Sequence, residues 1–215
     1  MKKILSIALA LCTVIITSCE KDTEGISSLT AYPQWKMEGK AFMNVKEDAT
    51  GTFVDPGVKA TIGNKEFPIQ VTGSVDIRKS GIYNIKYKAV STEGFPTSIS
   101  RMVLVTSELV TNDYSGTYIL EHATRKKEVT VKKVVGEIGY YEISDTWWQK
   151  AAIPVQFLDM GGTELMSLTN DSPFGPISAK ITIDSETDQL KFEVTITGGP
   201  NAGLKYTTVW NKKND

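Results

Sequence analysis

The run Gly81-Ile82-Tyr83-Asn84-Ile85-Lys86-Tyr87-Lys88-Ala89-Val90 has period two: Tyr83, Ile85, Tyr87 and Ala89 fall on one face, and Asn84, Lys86 and Lys88 on the other. Successive side chains of a strand point to opposite sides of a sheet, so the pattern predicts a strand with one buried and one wet face. Ser80-Gly81 opens this strand, Glu93-Gly94 closes it, and Ile99 to Val105 returns as its partner. Upstream, Asp55-Pro56-Gly57 reads as a turn, with Pro presetting φ and Gly free to take positive φ. The same punctuation continues along the chain. From Ser27 onward no run of 11 or more residues places apolar side chains at helical spacing, whereas period-two stretches bounded by Gly, Pro, Asn or Asp recur. An all-β protein is expected, and several short strands at this spacing suggest a sandwich for the first block.

Of the 215 residues, 40% are apolar and 23% charged, the balance of a chain that folds. The 24 Lys and Arg residues stand against 25 Asp and Glu. There is no cationic excess to displace counterions from a phosphate backbone, so no nucleic-acid partner is expected. A single imidazole, His122, would have to serve any Ser-His-Asp or Cys-His scheme and could give only one ligand to a metal. It sits beside Glu121 and Arg125 in a polar turn and reads as a solvated loop residue. No P-loop, dinucleotide glycine fingerprint, His-Glu-x-x-His or EF-hand loop occurs, and neither a cofactor nor a metal is expected. A glycosidase needs two carboxylates roughly 5 to 9.5 Å apart. Asp145, Asp159, Glu164 and Asp171 lie near turns, but 25 acids scatter some there by chance, so no catalytic residue is assigned and an enzyme is not expected.

The N-terminus carries an address. Met1-Lys2-Lys3 is positive, and Ile4 to Ile16 is apolar apart from Ser6 and Thr13. This core is too short to cross a bilayer, which needs about 20 apolar residues, and reads as an export signal over residues 1–18. Ile16-Thr17-Ser18-Cys19 resembles a bacterial lipobox, which implies lipidation of Cys19 and cleavage before it. Each buried methylene of an acyl chain contributes about 0.8 kcal/mol, so a multiply acylated Cys is a firm anchor. Loss of Lys2 and Lys3 leaves 22 basic against 25 acidic residues, a net charge of −3, and attachment needs no basic patch. Residues 19–30 would form the lipidated Cys and a tether. Glu20-Lys21-Asp22-Thr23-Glu24-Gly25 resembles the acidic export signals that follow the Cys in Bacteroidetes surface lipoproteins. The expected location is the outer membrane, facing the cell surface, with the periplasm-facing leaflet as the alternative.

Two folded blocks are expected, 31–107 and 112–215, separated near Ser107 to Asn112, each of ordinary size for a small domain. The second contains apolar-rich stretches near 117–121, 128–135, 138–143, 153–158, 164–168, 177–183, 190–196 and 204–210. Asp184-Ser185-Glu186-Thr187-Asp188 and Gly198-Gly199-Pro200-Asn201-Ala202-Gly203 suit hairpins between neighbours. Eight antiparallel strands in sequence order form a meander that can close as a lipocalin-like barrel, removing exposed edges; a second sandwich is the runner-up.

Three segments of the first block stand in a telling order: Asp55-Pro56-Gly57-Val58-Lys59-Ala60, then Gly81-Ile82-Tyr83-Asn84-Ile85-Lys86-Tyr87, then Arg101-Met102-Val103-Leu104-Val105. Together they resemble the bacterial surface Ig-like domains of Bacteroidetes lipoproteins of the DUF5011/DUF5012 type. The resemblance covers about residues 31 to 107 and implies an Ig-like β-sandwich. Ser91-Thr92-Glu93-Gly94-Phe95 keeps the Gly of that family's Asp-x-x-Gly-Asn turn but not its Asp and Asn, so no cation role is carried over. The start and end of the second block resemble the module that follows this domain in such proteins. Lipoproteins of this kind accompany polysaccharide-uptake systems, which implies a glycan ligand, or else an outer-membrane transporter as protein partner.

The residues best suited to a ligand are Trp147 and Trp148, with Tyr140, Asp145 and Gln149 nearby. If Trp147-Trp148 is extended, the two indoles point to opposite faces, one to the core and one to solvent or ligand. Flat aromatic faces beside hydrogen-bonding groups suit sugar rings, whose C–H faces are apolar and whose edges carry hydroxyls. The competing expectation is that both indoles cap one end of the barrel. Trp210, in phase with Tyr206 and Thr208, reads as core, and Trp35 and Tyr32 as seals of the first strand.

Overall fold

The computed structural model describes residues 31–149, 151–161, 164–184 and 186–213. Cys19, the export signal and the tether through residue 30 lie outside the described residues, as does Lys150 beside the Trp pair. Every regular element among the described residues is a strand. The first seven are β1 (Gln34–Met37), β2 (Phe42–Lys46), β3 (Val58–Ile62), β4 (Lys65–Glu66), β5 (Gln70–Thr72), β6 (Gly81–Val90) and β7 (Pro96–Thr106). They form two sheets, β1-β3-β4 and β2-β7-β6-β5. The long β6–β7 hairpin is antiparallel, from Gly81 opposite Val105 to Val90 opposite Pro96, whereas β2 runs parallel to β7. Alternation in β6 is as read from sequence, with Ile85, Tyr87 and Ala89 buried and Asn84, Lys86 and Lys88 exposed.

The sandwich is organised around one buried arginine. Arg101 is fully shielded from solvent. Its guanidinium donates to the Tyr87 hydroxyl (3.1 Å) and to the carbonyls of Glu38 (2.7 Å), Lys40 and Gly57 (3.0 Å), and it pairs with Asp55 (3.1 Å). Asp55 also accepts from Tyr87 (2.8 Å) and caps its own turn by accepting the Gly57 amide (3.1 Å). Gly57 has φ +84, which a side-chain-bearing residue rarely adopts, so the Pro-Gly step puts the Gly57 carbonyl within reach of Arg101. A buried charge is tolerated because it is paired and every side of it meets an acceptor.

Sheet β2-β7-β6-β5 is covered on both faces. Val103 and Val105 of β7 pack with Ile77, Met43, Val45, Phe53, Val75 and Tyr83 on the inner side. Leu104, with Phe42, Ile82 and Met102, packs on Leu158, Tyr140, Met160 and Leu168 of the second domain. Double coverage explains why alternation gives way to continuous burial from Val103 to Thr106. Asn44 reinforces the junction, donating to Thr106 (3.0 Å) and accepting the Val110 amide (2.8 Å). Gly139, packed against the Phe42 ring, takes φ +102, a conformation that a side-chain-bearing residue rarely adopts.

The remaining strands are β8 (Gly116–Leu120), β9 (Glu128–Lys133), β10 (Tyr140–Ile143), β11 (Val155–Asp159), β12 (Glu164–Ser167), β13 (Ile177–Asp184), β14 (Gln189–Ile196) and β15 (Lys205–Lys212). Each pairs antiparallel with the next, and β15 pairs back to β8, closing an eight-stranded up-and-down barrel. The expected barrel is thus present, and the sandwich alternative for this block is not. Its interior is filled by side chains, among them Tyr118, Tyr141, Ile143, Phe157, Ile181, Phe192 and Trp210, all fully buried. Unlike a ligand-carrying lipocalin barrel, this one spends its lumen on packing.

Candidate functional site

The linker into β8, the start of β10 and the end of β11 define the lower end of the barrel, beside the sandwich. Loops 121–127, 144–154, 168–176 and 197–204 define the upper end, and Trp147 and Trp148 lie there. Asp145 shapes the loop that carries them. One carboxylate oxygen accepts the amides of Trp147 (2.7 Å) and Ile153 (2.8 Å), and the other pairs with the Lys127 ammonium. Lys127 also donates to the Trp147 carbonyl (2.8 Å). A buried acid that gathers both arms of a loop in this way bends the chain, as Asp side chains do in turns. Thr146 ties the loop to the wall: its hydroxyl meets the Ile153 carbonyl and the Tyr206 hydroxyl (3.0 Å each), and its carbonyl accepts from Thr208 (3.0 Å). Thr208 in turn accepts the Trp210 indole N–H (3.0 Å), so the hydrogen-bonded chain runs into the core. Burial pushes the Tyr206 phenol up to about 12, with the Thr146 hydroxyl opposing and Asp145 adding to the rise.

This bend changes the expected disposition of the indoles. Extended geometry would send them to opposite faces; instead Trp147 and Trp148 stack on one side, centroids 4.9 Å apart and planes 8° apart. Tyr206 meets Trp147 edge-on (4.2 Å, 81°), and Phe174 lies 6.1 Å from it. Both indoles are half-buried against the core, and the Trp147 N–H is shielded from solvent with no acceptor among the described residues. The Arg125 guanidinium lies over the Trp148 ring, 5.6 Å from its centroid. Gln149 is exposed beside the pair.

Tyr140 is not part of this cluster. It faces outward from the lower wall, 5.6 Å from Phe42, and donates to Gln156 (2.7 Å), so it seals the junction with the sandwich. Asp145 lies beside the Trp pair, committed to Lys127 and two amides, so it positions the loop. Phe174, Tyr206, Lys127 and Arg125 join the Trp pair without having been foreseen. Tyr206 carried a core signal, whereas the two basic residues lay in an ordinary charged turn. Among the candidate acids, Asp159 faces the barrel interior at the lower end, opposite to Asp145, so these two do not form a pair. Burial raises the Asp159 carboxyl, opposed by the Gly161 amide and the Tyr114 hydroxyl. Asp171 caps its own loop by accepting the Ser172 amide; the Glu164 side chain lies outside the described residues.

Grooves occur elsewhere on the molecule. One of about 470 Å³ follows the junction between Phe42, Asn44, Val110 and Ile138, and one of about 590 Å³ lies beside Met160 and Met166. Neither is lined by the indoles.

The fold and site define a two-domain all-β protein, a sandwich joined to a filled barrel with an aromatic upper end. Residues 35–105, about a third of the chain, match the family described as bacterial surface protein, Ig-like domain. Among solved structures, a lipoprotein from Bacteroides thetaiotaomicron is similar, with 22% identity, coverage of 84% of this chain and 100% of that chain, and a TM-score of 0.40. No curated protein matches the chain.

Proposed function

We propose that this chain is a non-enzymatic protein of a bacterial outer membrane, anchored through lipid on Cys19 and facing the cell surface, which contacts glycan through the Trp147–Trp148 end of its barrel. The envelope assignment rests on the Met1 to Cys19 pattern and on the likeness of residues 35–105 to bacterial surface Ig-like domains. The glycan assignment rests on one observation: two stacked, half-exposed indoles, on a loop that Asp145 bends, lie at the end of the barrel opposite the linker. A packed lumen leaves the outside of the barrel as the place for a ligand. Sugar C–H faces stack on indoles, and the hydroxyl edges find polar side chains such as Gln149.

Trp148 makes fewer ring contacts than Trp147, so Trp148→Ala should remove binding while leaving the fold intact. Binding of the detergent-extracted chain to a polysaccharide panel, with circular dichroism as the fold control, tests this. Unchanged affinity for every bound polysaccharide in Trp148→Ala rules out the platform. A second reading, contact with an outer-membrane transporter, is supported by the packing of both rings on the core. It requires co-purification with that partner after mild detergent extraction and no polysaccharide affinity.

A further inference from the structure

We infer that the ligand of this platform is an anionic polysaccharide of the uronate type, its carboxylates met by Arg125 and Lys126 while a sugar face rests on the indoles; this rests on the glycan reading above. Loop 121–127 carries three consecutive basic residues, Arg125, Lys126 and Lys127, of which Arg125 lies over the Trp148 ring and Lys127 reaches the Trp147 carbonyl (2.8 Å). Their situations differ. Lys127 is consumed by Asp145 and the Trp147 carbonyl. Arg125 has its charge over the Trp148 ring and no carboxylate partner among the described residues, and Lys126 is exposed. A cation–π contact uses the charge of a guanidinium without occupying its N–H fork, so the donors that grip a carboxylate in bidentate fashion stay free. The loop is held in place: the Leu120 amide donates to the Lys127 carbonyl (2.9 Å), the Glu121 amide to the Val209 carbonyl (2.8 Å), and the His122 imidazole accepts the Thr124 and Arg125 amides (3.2 and 3.3 Å).

The local sign is opposite to that of the whole. A chain whose processed form carries net −3 presents Arg125 on the Trp148 ring with the exposed Lys126 next to it in sequence, which favours an acidic ligand there and repels it elsewhere. A small inorganic anion would leave the indoles unused. Nucleic acid, which also joins charge to stacking, needs a longer cationic track than two residues.

The test titrates the lipidated chain, extracted in mild detergent, with polygalacturonate, alginate and hyaluronan, with dextran, galactan and mannan as neutral counterparts, and with a single-stranded oligonucleotide. The expected result is binding to at least one uronate polymer. That binding should weaken about tenfold in Arg125→Gln/Lys126→Gln, the size of a lost charge-assisted contact, and fall between about 0.05 and 0.5 M salt. Circular dichroism should be unchanged. Equal or exclusive binding of neutral polymers, unaffected by the double substitution, overturns the charge inference and leaves the glycan platform standing. Binding of no polysaccharide, or of the oligonucleotide alone, overturns both.

Discussion

The two domains build their interiors on opposite principles. The sandwich has thin apolar clusters and centres on a buried Arg101 whose donors clasp Tyr87, Asp55 and three backbone carbonyls. The barrel has one contiguous cluster of aliphatic and aromatic side chains from Tyr114 to Trp210. In the barrel, stability is spread over many side chains, each replaceable at moderate cost. In the sandwich it converges on one residue that cannot be exchanged for an apolar one, because the carbonyls it satisfies belong to the backbone and would remain.

Four substitutions sharpen or break this contrast. Arg101→Ala should be the most damaging, at about 3–5 kcal/mol, since it strands buried acceptors and the Asp55 charge. Arg101→Lys should recover only part, having no fork. Urea unfolding followed by Trp fluorescence measures both, and a loss under about 1 kcal/mol for the alanine variant would make the arginine incidental. Phe192→Ala, in the barrel, should cost about 3 kcal/mol by cavity formation, and a cost below that of a single methylene removal would mean the barrel is not filled as described. Asp145→Asn should cost about 1–3 kcal/mol, because Lys127 loses its charged partner while the two loop amides keep an acceptor; indole near-ultraviolet dichroism reports whether the stack loosens.

The smallest effects concern pH, and two carboxylates of the lower end should respond with opposite sign. Burial opposes ionisation of Asp113, but the Ser115 hydroxyl and amide with the Lys133 ammonium outweigh it and hold the carboxyl at about 2. A depressed folded pKa contributes stability above the unfolded value near 4 that is lost as pH falls toward 2. With its side chain two-fifths exposed, that contribution is discounted to about 1 kcal/mol. Asp113→Asn should remove this acid sensitivity. Asp159 is raised by burial, so the folded protein holds its proton longer than the unfolded chain does, and stability falls as pH rises from about 4 through the raised value. Asp159→Asn should abolish that decline. Melting temperature against pH for the two variants tests both signs, and parallel profiles would contradict them.

Much of this fold was legible because its contacts are between neighbours in sequence. Seven of the eight barrel pairings join consecutive strands, so alternation and turn residues sufficed to place them, and the closing β15–β8 pair is the long-range one. The parallel β2–β7 pairing and the Arg101 bonds to the Glu38 and Lys40 carbonyls join residues about 60 positions apart, which no local pattern encodes. The junction left a trace: Met102-Val103-Leu104-Val105 is apolar without alternation, as a strand buried on both faces must be. At the upper end, the presence of the Trp pair was legible and its geometry was not. Neighbouring side chains diverge in a strand, and they stack here because Asp145 folds the loop on itself with Lys127, a partner 18 positions away. Tyr140, one position from the core-facing Tyr141, points out of the wall beside Phe42 and Gln156, away from the Trp pair.

The central claim is that the barrel engages its ligand on the outer indoles. The four indole N–H signals in a proton–nitrogen correlation spectrum read this directly during a polygalacturonate titration. Trp35, bonded to Thr97 (3.2 Å), and Trp210, bonded to Thr208 (3.0 Å), serve as internal controls. Shifts of the Trp148 and Trp147 signals, with those of Trp35 and Trp210 unmoved, are the predicted result. Saturable binding that leaves the Trp147 and Trp148 signals in place would contradict it.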